Sequence, residues 1–173
     1  MFHVKRHFVH TINKGKMLVF IISIFFISCV ARKATIQIED YLLVPNGKEV
    51  LGNPKPLTAF IFENNTRNLT IEKFLSMKFK SENYFSQEFP IIIDRNRYKI
   101  ILYDNSEFEK YFDSSNYSVI NLQPADATVD VQRKFIAFSM VDNENQDCLA
   151  DDSLLQNMAV HYLKNLKDEY YNQ

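Results

Sequence analysis

Glu88-Phe-Pro-Ile-Ile-Ile-Asp-Arg-Asn-Arg-Tyr-Lys-Ile-Ile-Leu-Tyr103 is the stretch on which the fold class turns. Two apolar runs, 88–93 and 98–103, flank the polar tetrapeptide Asp94-Arg-Asn-Arg97. β-Branched and aromatic residues dominate both runs, so the segment predicts two antiparallel strands joined by a turn. Pro90 has no N–H to give to a ladder, which places the first strand at a sheet edge.

Other strand signals lie on both sides of this hairpin. Residues 35–44 begin with strand-like alternation, with Ile36 and Ile38 on one side, and end at the turn Pro45-Asn46-Gly47-Lys48. The connection Asn53-Pro-Lys-Pro56 is stiff, and Leu57-Thr-Ala-Phe-Ile-Phe62 is apolar enough for a buried strand. Residues 117–122 and 133–141 are further strand candidates. Thr70 is placed to cap a helix over 70–80 whose Ile71, Phe74, Leu75 and Phe79 share a face. Asn105 or Ser106 is placed to cap a short helix over 107–112. The last element is a long amphipathic helix, capped by Asp151 or Asp152 and running to about Tyr170. Its stripe is Leu154, Leu155, Met158, Ala159, Tyr162, Leu163 and Leu166. Strands and helices mix without strict alternation, so the expected class is α+β: one largely antiparallel sheet with packed helices.

The N-terminus has a different character. Residues 1–28 hold Lys5, Arg6, Lys14 and Lys16 and no acid. An apolar run follows from Met17 and is broken only by two serines. Residues 17–31 number 15, short of the roughly 20 that span a bilayer, and a basic stretch before such a run is the pattern of a secretory signal. The run ends in Phe26-Ile27-Ser28-Cys29, which resembles the lipobox of bacterial lipoproteins; Phe26 departs from the usual Leu, Val or Ile. The resemblance covers residues 1–29. It implies cleavage between Ser28 and Cys29 and acylation of Cys29. The expected organisation is therefore a signal peptide at 1–28, a lipidated tether at 29–35 and a single α+β domain at 36–173. The abundance of asparagine resembles proteins of AT-rich Bacteroidota. Surface lipoproteins of that group tend to carry acids just after the cysteine. Here Val30-Ala31-Arg32-Lys33 follows, so the expected location is the outer membrane, on its periplasmic face.

The chain holds 20 Lys+Arg against 21 Asp+Glu. Removing the leader leaves 16 against 21, a formal charge of −5, which argues against nucleic acid as a partner. The residue inventory also narrows the chemistry. His161 is the one histidine after residue 28, too few for a histidine-based zinc site, and His161 reads as a core or surface residue. Gly47 and Gly52 are the only glycines there, so no phosphate-cradling loop can be built. With Cys29 acylated, Cys148 has no disulfide partner and reads as a small buried hydrophobe. The acidic stretch 142–152 reads as a solvated loop leading into a helix, and Glu107 and Glu109 as parts of an amphipathic turn. No cofactor, metal site or enzymatic activity is expected.

One surface suits binding: Arg95, Arg97 and Tyr98 at the hairpin tip, with Lys99, Tyr84, Phe85 and Tyr103 nearby in sequence. The expected function is a membrane-anchored binding or structural subunit of a cell-envelope complex, such as an accessory of a secretion machine. Its attachments are the membrane through Cys29 and a protein partner. The alternatives are an inhibitor lipoprotein that blocks a toxin or periplasmic enzyme, and a hydrolase using a converging pair of carboxylates.

Overall fold

The computed structural model describes residues 35–64, 69–81, 83, 86–118 and 134–173. Ser28, Cys29, the leader, residues 29–34, Tyr84, Phe85 and residues 119–133 lie outside them. Residues Thr35–Gln173 form one compact unit. It is α+β. Its main sheet contains β2 (Leu42–Val44), β3 (Ala59–Glu63), β4 (Glu88–Ile93), β5 (Asn96–Leu102) and β7 (Phe135–Asp142), in the order β2-β3-β7-β5-β4. Every pairing in this sheet is antiparallel. A separate parallel pair joins β1 (Ile36–Gln37) to β6 (Tyr117–Ser118). The helices are α1 (Ile71–Phe79), α2 (Asn105–Tyr111) and α3 (Gln156–Tyr171).

Burial explains the pattern of the strands. β3 is buried throughout and β7 from Phe135 to Val141, because apolar clusters cover both faces of the sheet there. Such strands read as continuous apolar runs rather than alternating ones. On one face α1 and α3 pack over Phe60, Phe62, Phe138 and Ile100. On the other, Phe108 and Phe112 join Ile38, Tyr117 and Phe135. β4 lies at the sheet edge, as Pro90 requires, and alternates: Phe89 and Ile91 are buried while Glu88, Pro90 and Ile92 are exposed.

Four local expectations need correction. Residues 35–44 form two short strands, not one; Ile38 is buried but Ile36 is exposed, so they do not share an environment. The chain bends between β1 and β2, where Asp40 pairs with Lys164 and Lys167 of α3. The cap of α2 is Asp104, whose carboxylate accepts from the Glu107 N–H while Glu107 accepts from the Asp104 N–H, a reciprocal box. The hairpin turn contains two residues, not four: Ile93 pairs with Asn96, and Asp94 and Arg95 both have positive φ (49° and 70°). That is the twist of a tight two-residue hairpin, achieved here without glycine. Finally, α3 begins at Gln156. Residues 150–155 form successive turns in which Ser153 N–H donates to Ala150 O, and Ser153 Oγ accepts from Leu155 N–H. Asp151 and Asp152 therefore precede the helix, and Leu154 leaves the stripe for solvent. The rest of the stripe holds: Ala159, Leu163 and Leu166 are buried and Tyr170 extends it.

Gly47 is fixed by close approach. A Cβ there would lie 2.3 Å from Tyr103 Oη and 2.8 Å from the Leu57 carbonyl oxygen. Neither atom can yield: Tyr103 Oη accepts from the Lys48 N–H and is bonded to Ser139 Oγ, which donates to Thr58 O. Gly47→Ala should cost about 1–3 kcal/mol. A lowered urea midpoint would show it, and an unchanged one would contradict the packing. Cys148 is buried, and burial, aided by the charges of Asp142 and Asp147, pushes its thiol up to about 12. The thiolate needed for attack is thus scarce at neutral pH. Maleimide should modify the Cys148 peptide only after denaturation; rapid native modification, read by mass spectrometry, would contradict the buried setting.

Candidate functional site

The register of β5 against β7 places Tyr98 opposite Asp142. This brings together two segments that are separate in sequence, the basic hairpin tip and the acidic loop. Between them lies an open depression of about 490 Å³, lined by Arg95, Asn96, Arg97, Tyr98, Asp142, Asn143, Glu144 and Leu155. Arg95 and Arg97 are exposed, and among the described residues neither takes part in an ion pair. Lys99, by contrast, is paired with Glu88 across the hairpin at 3.0 Å. Tyr98 is 8% exposed and belongs to the core under α3, so it contributes an edge to the depression rather than a projecting ring.

The acidic loop has a defined structure. Asp142 Oδ1 accepts from the N–H groups of Glu144 and Gln146, at 2.8 and 2.9 Å. Asp147 accepts from Thr58 N–H at 2.7 Å and from Leu149 N–H at 2.8 Å, which ties the loop to β3 and to the approach to α3. Asn145, with φ of 59°, takes the left-handed position that asparagine tolerates. Asp142 and Glu144 do share the depression, as a carboxylate pair for hydrolysis would. The engagement of Asp142 by two backbone donors suits it to holding the loop rather than to transferring protons. Among the described residues no group of three or more His, Cys, Asp or Glu side chains is placed to hold a metal ion.

Other residues weighed for chemistry have structural partners. His161 is exposed on α3, 3.3 Å from Asn165 one turn on. Glu107 completes the α2 cap and pairs with Lys48 at 2.6 Å, while Glu109 accepts from Ser114 N–H at 3.0 Å. Phe108 and Phe112 are buried against the sheet and offer no stacking surface.

Fold and surface together define the chain as a single α+β domain bearing a mixed-charge depression at the loop end of its sheet. No family model, curated protein or solved structure matches the chain.

Proposed function

We propose that this protein is a lipid-anchored binding module of the bacterial cell envelope, tethered through Cys29, that holds a protein partner at the hairpin tip. The observation that carries the binding half is the exposure of Arg95 and Arg97, without carboxylate partners among the described residues, on one wall of the depression. Arginine on a preformed surface is a common anchor at interfaces: its planar fork takes a carboxylate through two hydrogen bonds. The anchoring half rests on the Ser28-Cys29 pattern and the basic, apolar stretch before it. A mature domain of formal charge −5 has no electrostatic attraction to an anionic surface, so attachment would come from acyl chains alone.

The test is affinity purification of the full chain from detergent-solubilised envelopes, comparing wild type with Arg95→Glu/Arg97→Glu. A partner that co-purifies with the wild type should fall at least about tenfold with the charge-reversed variant. Equal recovery would remove the hairpin tip from the account, and no partner in several detergents would count against a binding role.

A further inference from the structure

The depression is part of a larger surface with a definite polarity. Three loops join the hairpin tip at the same end of the sheet. Asn145 Nδ2 donates to Leu51 O at 3.2 Å, and Gln146 Nε2 to Gly52 O at 3.4 Å, linking the 50–55 loop to the acidic loop. Lys55 pairs with Asp152 at 3.5 Å, and Gln156 Nε2 donates to Leu149 O and Asp151 Oδ1, linking both to the turns before α3. On this end stand Leu51 (94% exposed) and Leu154 (101% exposed), while Ile92 (72% exposed) is the cross-strand partner of Arg97. Large apolar side chains beside arginines, on loops held by hydrogen bonds, are the composition of interface anchors rather than of an ordinary solvated rim.

The chain enters the domain at the other end. Ile36 pairs with Tyr117, whose ring packs on Phe135, the first residue of β7, whereas the hairpin tip meets Asp142, the last.

Resting on the binding-module reading, we infer that this loop end, from Leu51 through the hairpin tip to Leu154, is one docking surface. Its partner is a polypeptide segment that carries carboxylates and apolar side chains together. Carboxylates meet Arg95 and Arg97, and apolar groups cover Leu154, Leu155 and Leu51. Its position at the end of the sheet opposite Thr35 leaves it unobstructed by a tether attached there.

The test uses the full chain in living cells, with the photo-crosslinking residue p-benzoylphenylalanine placed singly at Leu51, Arg95, Leu154, Ile36 or Met77. The last two are exposed positions away from the loop end. Adducts of one common mass are expected from Leu51, Arg95 and Leu154 and none from Ile36 or Met77. The crosslinked peptide of the partner should contain Asp or Glu beside an apolar residue. Adding Arg97→Glu should reduce the Leu154 adduct about tenfold, and Arg97→Lys should retain most of it. Adducts confined to Ile36 or Met77 would overturn this surface while leaving a binding role intact. Adducts at no position would overturn both. A basic crosslinked segment, a lipid adduct, or an adduct of twice the chain's own mass would overturn the stated partner.

Discussion

Phe138→Ala should destabilise the domain by about 3–5 kcal/mol, a large share of the roughly 5–15 kcal/mol that holds a domain of this kind folded. Phe138 lies in the middle of β7, the central strand, and is fully buried. It is paired with Phe60 on one side and Leu102 on the other, and its ring lies 5.7 Å from that of Phe62. The substitution removes the apolar contact area and leaves a cavity. The surrounding strands, fixed by ladders on both sides, can close that cavity only in part. Urea denaturation followed by circular dichroism should show a midpoint lowered by more than about 1 M. A shift within error would mean that β7 is not the centre of the core. Ile92→Ala is the matching control: Ile92 is exposed on an edge strand, and its truncation should change stability by less than about 0.5 kcal/mol.

What was legible in the sequence follows from which signals are local. The hairpin, the Thr70 cap and the stripe of α3 each rest on residues a few positions apart, and each appears in the structure. The errors arose where several local devices compete. Asp104-Asn-Ser-Glu107 carries the reciprocal cap spacing, yet the neighbouring Asn105 and Ser106 are equally good caps when read singly. Asp151 and Asp152 suit a helix start, but Ser153 and the buried Cys148 and Leu149 hold that stretch in turns. The two-residue turn at Asp94-Arg95 lacks the glycine that marks such turns, so its length was hidden.

The candidate surface was half legible. Arg95 and Arg97 stand out by composition. Their meeting with Asp142, Glu144 and Leu155 depends on the register between β5 and β7, which no local pattern encodes. Tyr98 illustrates the same limit: alternation along β5 turns it inward, between the exposed Arg97 and the half-buried Lys99. Leu51 and Leu154 gave no signal, since a single leucine in a loop is as often buried as exposed.

The lipid anchor orders the rest of the functional account. One acyl chain holds a protein only marginally, at about 0.8 kcal/mol per buried CH₂, whereas two or three hold it durably. The six positions from Cys29 to Thr35 span at most about 20–22 Å of chain, so acylation there would keep the domain close to the bilayer. The decisive measurement is metabolic labelling with a clickable fatty acid, comparing the wild-type chain with Cys29→Ser. The wild type should carry label and sediment with membranes. The variant should carry none, and with that thiol absent it has no site for the diacylglycerol. Label on Cys29→Ser equal to that on the wild type, or an unlabelled wild type, would contradict the account.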